Sequence, residues 1–277
     1  MQVNDCVAVL TGAGSGIGRA LALALAERGC HLALADVNTQ ALGETAAQAR
    51  KLGIQVSEHP LDVADRTAVA ALPQAVMAEH GKVDLLINNA GVALGGNFDQ
   101  VKTEDFDWLM AINFDGVVCM TRAFLPLLKQ RPASRIVNVS SLFGFITPAG
   151  QTAYCASKFA VRGFSNALRL ELQSGPVGVT VVHPGGVATA IATSARPPEG
   201  VDDAEHARKL KQAEKLLRMP PPKAAQIILR GIERDKPRVV VGNDARILSW
   251  LERIMPVNYW RLLPGLATPK NDGSSAP

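Results

Sequence analysis

Cys6-Val7-Ala8-Val9-Leu10-Thr11-Gly12-Ala13-Gly14-Ser15-Gly16-Ile17-Gly18-Arg19 is the stretch that decides the fold. Five small or apolar residues run into a turn holding Gly12, Gly14, Gly16 and Gly18, and an Ala/Leu-rich helical run follows over 17–28. A short apolar run without alternation reads as a strand covered on both faces. Glycines in the turn let the backbone approach a diphosphate, and the N–H groups and dipole of the helix start attract that anion. The strict GxGxxG spacing fails because Arg19 stands at its last position, and no Gly-Lys-Ser/Thr follows. The loop alone therefore says phosphate-bearing ligand, with Gly12, Gly14, Ser15, Gly16, Ile17 and Gly18 as its candidate contacts.

Outward from this turn the pattern repeats. Strand-like runs at 32–35, 55–58, 83–87, 135–139, 177–182 and 238–241, most of them apolar, alternate with helical stretches at 38–52, 65–80, 103–129, 151–172 and 223–234. That rhythm means βαβ units, right-handed crossovers and an α/β doubly wound parallel sheet of about seven strands, with helices on both faces. One domain is expected over 1–267. After Pro184 the rhythm breaks. Residues 190–222, with Pro197, Pro198 and Gly200, read as a substrate lid that includes a charged helix near 204–218. Residues 243–267 form a C-terminal extension, and the Gly/Ser/Pro-rich 268–277 reads as a disordered tail.

Composition excludes several classes. Of 277 residues, 47% are hydrophobic and 19% charged, enough to build a core, while only 5% are aromatic, too few for stacking along single-stranded nucleic acid. Net charge is +4, with 15 basic against 10 acidic residues in 196–277 and 14 against 15 before it, so the surplus sits in the last 82 residues. The four cysteines form no CxxC pair and no HExxH occurs, so neither metal nor dithiol chemistry is expected. No basic leader precedes the first strand, and the uncharged stretches 136–157 and 172–195 are broken by polar residues, Gly and Pro. A cytoplasmic protein without an integral membrane segment is expected.

Asp36 ends the second strand, where its carboxylate can accept hydrogen bonds from both ribose hydroxyls of an adenosine and repel a 2′-phosphate; Arg19 is the one nearby cation. Asn88-Asn89-Ala90-Gly91 marks a turn at the carboxyl edge of the fourth strand. Tyr154 and Lys158 are four apart and share a helix face, with Ser141 ending the fifth strand. A tyrosine with pKa ~10 is a poor base at neutral pH, and a neighbouring ammonium favours its phenolate. Tyr-x-x-x-Lys is therefore a proton-transfer device.

These motifs together resemble the short-chain dehydrogenase/reductase family, in its single-domain branch, over residues 5–242. Thr11-Gly12-x-x-x-Gly16-x-Gly18 looks like its cofactor loop, Asp62-Val63 its adenine contact, and Asn88-Asn89-Ala90-Gly91 its sheet-stabilising motif. Asn113, Ser141, Tyr154 and Lys158 match its catalytic tetrad, Ser141 being preferred to Ser140 by the family spacing to Tyr154. Pro184-Gly185-Gly186-Val187-Ala188-Thr189 resembles the segment that touches the nicotinamide carboxamide. The resemblance implies a Rossmann-type fold and hydride transfer between NAD(H) and a secondary alcohol or ketone. Tyr154 would be the acid/base, Ser141 the carbonyl-oxygen donor, Lys158 the ribose contact, and Asn113 the holder of a water linking Lys158 to solvent. NADP(H)-dependent carbonyl reduction and cofactor binding without turnover are the alternatives.

Val92, Leu94, Leu142, Phe143, Phe145 and the lid are expected to line the substrate pocket, which favours an apolar substrate. The helices at 105–129 and 151–172 carry apolar residues on most sides, which suits a homodimer or homotetramer as well as burial within one chain. The apolar tail element around Trp250–Leu263, beside the basic surplus, suits packing on the core, packing on a partner subunit, or peripheral contact with an anionic membrane.

Overall fold

The computed structural model describes residues 1–202, 207–208, 210–211 and 215–262. Seven strands, β1 (Val7–Thr11), β2 (His31–Asp36), β3 (Val56–Pro60), β4 (Leu85–Asn88), β5 (Ser134–Val139), β6 (Val177–Pro184) and β7 (Arg238–Val241), form one parallel sheet in the order β3-β2-β1-β4-β5-β6-β7. The chain moves one way from β1 to β2 and β3, then returns to place β4 on the other side of β1. This reversal opens a crevice at the carboxyl ends of β1 and β4, the place where such sheets take ligands.

The helices are α1 (Gly16–Ala26), α2 (Thr39–Arg50), α3 (Arg66–His80), α4 (Thr103–Met110), α5 (Gly116–Leu128), α6 (Thr152–Glu171), α7 (Pro221–Glu233) and α8 (Asn243–Ile254). One face of the sheet packs on α1, α2 and α7 through Leu21, Leu25, Leu42, Ile228 and Leu229. The other packs on α3, α5 and α6 through Val69, Val76, Met120, Phe124 and Leu168. Local signals explain the limits: Asp65 caps α3 by accepting from the N–H groups of Thr67 and Ala68, and Gly81 ends it at φ 69°.

The sequence reads 103–129 as one helix, but the structure interrupts it with a π turn over Ala111–Asp115 that holds Asn113. By length and composition alone, Thr103–Leu128 could cross a membrane. Here it is a core element, with Leu109, Met120, Phe124 and Leu128 fully buried. Of the charged helix expected at 204–218, residues 204–206, 209 and 212–214 lie outside the described residues, as do Leu263 and the tail 268–277.

Candidate active site

The first turn is built for close approach. Gly12 has φ +66°, and a Cβ there would meet the Ala90 Cα at 2.8 Å; a Cβ at Gly18 would run into the Gly12 carbonyl. Ser15 stands at the N-cap of α1 without making a side-chain cap, and the first turn holds no acidic residue. The helix start thus presents N–H groups and a positive dipole end towards the crevice, with no capping side chain at Ser15 and no acid in its first turn. This cradle fits the diphosphate of a dinucleotide.

Asp36 lies beside it. One carboxylate oxygen accepts the Gly14 N–H at 2.8 Å and the other the Asn38 N–H at 2.8 Å. Asn38, not Asp36, caps α2. Arg19 is engaged beside it: its Nε donates to the Gly14 carbonyl and Thr45 Oγ1, both at 3.0 Å, and its guanidinium pairs with Glu44 at 2.9 Å.

The turn after β4 ties the sheet together. The Asn89 side chain donates to the Thr11 and Gly12 carbonyls at 3.0 and 3.1 Å, and Thr11 Oγ1 accepts the N–H groups of Asn89 and Ala90. Asn88 donates to Asn138 at 2.8 Å. Asp62 is exposed and accepts the Ala64 N–H, whereas Val63 is buried against Gly116. The buried Asn113 side chain accepts the Val92 N–H at 2.8 Å and donates to the Val92 carbonyl at 3.0 Å and to Ser157 at 3.2 Å. Asn113 therefore holds the loop after β4 against α6. A side chain at Gly91 would press on Asn113 Oδ1 at 3.2 Å and on Lys158 Nζ at 3.3 Å, so glycine keeps these two groups adjacent.

Adjacent residues of an extended chain face opposite ways, and this separates the two serines. Ser140 is buried and donates to the Lys158 carbonyl at 2.8 Å. Ser141 caps the short turn Leu142–Gly144, accepts the Phe143 N–H at 3.1 Å and is a hydrogen-bond partner of the Tyr154 phenolate. Lys158 is buried, with Nζ 5.5 Å from the Tyr154 ring centroid and 3.4 Å from the Val139 carbonyl oxygen.

The expected lowering of the Tyr154 pKa by Lys158 is not what this arrangement does. Burial pushes the phenol up to about 12, with Ser141 pulling against it, and burial pushes Lys158 down to about 8. Desolvation is the leading cause of both shifts, and the Lys158 Nζ reaches the Val139 carbonyl oxygen. Tyr154 is consequently a protonated phenol at neutral pH, ready to donate. We expect Ser141→Ala to lower turnover about tenfold or more and Ser140→Ala to act mainly on stability, since only Ser141 meets the phenol. Steady-state rates and melting curves of the two variants would show the reverse ranking were Ser140 the working hydroxyl.

Residues 184–189 close the crevice. The Thr189 methyl stands 2.9 Å from where a Gly16 Cβ would lie, so this segment meets the first turn over the start of α1. Pro184 and Val187 are buried, and Val187 bridges Met219. Gly185 and Gly186 leave no room for side chains against Asp244 and Leu216. The first turn, Asn89–Gly91, Ser141 and Pro184–Thr189 thus follow the carboxyl ends of β1, β4, β5 and β6, Asp36 ends β2, and Asp62 and Val63 follow β3.

A sequence profile described as short chain dehydrogenase matches residues 6–200. The chain belongs to the short-chain dehydrogenase/reductase family. It is 47% identical over 259 residues to SadH of Mycobacterium tuberculosis, a protein named as an oxidoreductase, covering 93% of each chain. A Burkholderia phymatum short-chain dehydrogenase/reductase solved in complex with NAD superposes with a TM-score of 0.86 at 30% identity, over 99% of this chain and 100% of that one. A metagenomic short-chain oxidoreductase solved with NADP superposes with a TM-score of 0.70 at 28% identity, over 87% and 98%. This dehydrogenase/reductase is thus an oxidoreductase with the Rossmann-type sheet of its relatives.

The pocket of this family member differs from the sequence expectation. Leu94, Leu142 and Phe145 are buried in core clusters; only Val92 and Phe143 stay partly open, with the Phe143 ring edge-on to Tyr154 at 6.0 Å. These three bulky side chains are spent on packing the walls. A hollow of about 460 Å³ lined by Thr147, Pro148, Ala149, Thr152, Cys155, Ala156 and Phe159 lies on the flank of α6 turned away from Tyr154, as the helical period requires.

Three residues outside the expected site steady its parts. Asp244 accepts the Gly186 N–H at 2.7 Å and so fixes the 184–189 segment from α8; the Gly-Asn-Asp run before the helix was its only signal. Arg196 stacks on Trp108 at 3.6 Å and pairs with Asp105 at 2.6 Å, tying the segment after β6 to α4. The buried His183 places Nδ1 at 3.0 Å from the Ser141 carbonyl oxygen, and burial keeps it neutral with a pKa near 3. It donates there and so steadies the serine.

Proposed function

We propose that this enzyme interconverts a secondary alcohol and a ketone on an apolar molecule, with NAD(H) as cofactor. The observation that carries the reaction is the meeting of Ser141, Tyr154 and Lys158 beside the open helix start of α1. Gly12–Gly18, Asp36, Asp62, Val63, Asn89–Gly91 and Pro184–Thr189 would hold the dinucleotide. When bound, its nicotinamide supplies or accepts the hydride. Ser141 donates a hydrogen bond to the carbonyl oxygen and orients it. Tyr154 delivers its phenolic proton to that oxygen in reduction and takes the hydroxyl proton in oxidation. Lys158 stabilises the phenolate left behind, and Asn113 keeps the loop of Gly91 in place beside it. No metal enters this chemistry.

The preference for NAD rests on Asp36 and Arg19. A 2′-phosphate at Asp36 sets like charges in contact at a cost of several kcal/mol before relaxation. Arg19, the cation able to offset that, is engaged by Gly14, Thr45 and Glu44. Even ~2.8 kcal/mol is a hundredfold preference. Since one similar structure holds NAD and another NADP, both cofactors belong in the test. Absorbance at 340 nm with a panel of apolar and polar alcohols and ketones should give kcat/KM well above tenfold in favour of NAD. Asp36→Ala should narrow that ratio. A wild-type preference for NADPH would show Arg19 in control, turnover confined to sugars or charged acids would refute the apolar substrate, and binding without turnover would mean a regulator.

The setting belongs to the same proposal. Four free thiols suit a reducing cytoplasm. The outer flanks of α5 and α6, with Phe159 exposed, suit a second copy of the chain in a homodimer or homotetramer.

A further inference from the structure

Helix α8 has two apolar faces, and the described residues cover only one. Ala245, Leu248, Leu251 and Met255 pack inward on Leu142, Phe143, Phe145 and Ile146, the segment that follows Ser141. Tyr259 locks the far end by hydrogen-bonding Thr147 through its hydroxyl at 2.7 Å, and Asp244 locks the near end on Gly186. Ile247, Trp250 and Ile254 recur at three- and four-residue steps on the outside and are 66%, 68% and 64% exposed. Val257, Trp260 and Leu262 continue the stripe. Of the twelve exposed large apolar side chains among the described residues, six thus lie between 247 and 262.

The charges beside this stripe have one dominant sign. Arg246 and Arg253 are exposed and flank Ile247, Trp250 and Ile254 on the same outer face; Arg238 and Arg261 are exposed nearby, with Arg261 5.5 Å from the Trp260 ring. Glu252 is partly buried and acts on Arg238, and Asp244 is spent on Gly186. An apolar stripe with tryptophans at its margin and arginines alongside matches the interface of an anionic bilayer: the aromatics settle at headgroup depth while the guanidiniums meet lipid phosphates. Trp and Arg are also enriched where two subunits meet, so the oligomeric mass of the apolar variant below separates that occupant from a membrane.

We propose that α8 and the turn after it form a docking surface for an anionic membrane, with the outer stripe entering the headgroup layer and the inner face carrying the active-site wall. The surface would bring the site proposed above beside a lipid store of apolar substrate; vesicle binding needs no turnover, so the two readings fail separately. The test uses the full chain with phosphatidylcholine vesicles, with and without phosphatidylglycerol, read by co-sedimentation and tryptophan emission. The wild type should bind only the anionic vesicles, with a blue shift, and release as salt rises. Arg246→Gln with Arg253→Gln should weaken binding about tenfold or more. Ile247→Ser, Trp250→Ser and Ile254→Ser together should abolish it while leaving melting temperature and oligomeric mass unchanged. Failure of the wild type to bind, or binding insensitive to both variants, overturns the proposal. A lower oligomeric mass in the apolar variant also overturns it, because a second copy then covers the stripe.

Discussion

Tyr154→Phe is expected to bind NAD as the wild type does and to turn over about a hundredfold more slowly or worse. The substitution removes the one transferable proton at the site and almost no volume, and positioned acid/base groups contribute roughly 10²–10⁴-fold. Packing should survive, because the ring's edge-on contact with Phe143 at 6.0 Å does not use the hydroxyl. Cofactor affinity by fluorescence titration, alongside single-turnover rates, separates the two effects. Near-normal turnover would remove Tyr154 from the chemistry. Loss of NAD binding in step with turnover would make it a structural residue instead. Since burial holds the wild-type phenol near 12, its proton is in place throughout the neutral range. Ketone reduction should therefore lose no rate through titration of Tyr154 across the neutral range, and alcohol oxidation, which releases a proton, should rise with pH.

Lys158→Met should cost activity and increase stability. The ammonium favours the phenolate that appears as the proton leaves; an adjacent charge is worth roughly one to three pKa units, or about ten- to a thousandfold in rate. Stability moves the other way. Burial lowers the native pKa of Lys158 from 10.5 to about 8. Below pH 8 both native and unfolded chains hold the proton, and the native state bears the whole cost of the buried charge, about 3 kcal/mol. Between pH 8 and 10.5 the native state sheds its proton first, the unfolded chain binds more, and the cost shrinks as pH rises. Methionine fills similar space uncharged, while leaving the Val139 carbonyl without its 3.4 Å donor, a loss of about 1 kcal/mol. The net gain at pH 7 should be roughly 1–2 kcal/mol, or several degrees in Tm, fading towards pH 10. Melting curves at the two pH values decide it: a variant less stable at pH 7, or one shifted equally at both, would contradict the buried-charge account.

The sequence by itself determined the repeating unit and the placement of the chemistry along it. Unalternating apolar runs name buried parallel strands, the four glycines of the first turn name a phosphate cradle, and the four-residue step from Tyr154 to Lys158 names a shared helix face. Each of these is a local regularity, and local regularities survive in a one-dimensional string. β7 was bounded at Arg238–Val241 for the same reason. The π turn at 111–115 was not legible, because one added residue in a helical turn leaves the apolar pattern on either side nearly unchanged.

Only the tertiary structure decided matters that depend on which distant groups meet. The partners of Arg19, Thr45 and Glu44, come from α2, 26 and 25 residues away. Leu94, Leu142 and Phe145 looked like pocket walls, but burial against Leu109, Ala153 and Tyr259 makes them core. The Tyr154 pKa followed desolvation, which depends on everything packed around the pair and not on their spacing. Asp244 reaches Gly186 across 58 residues because α8 folds back beside the end of β6. A sequence specifies what each residue offers; its partner is set by the packing of the whole chain, where burial turns a modest contact into one that orders the site.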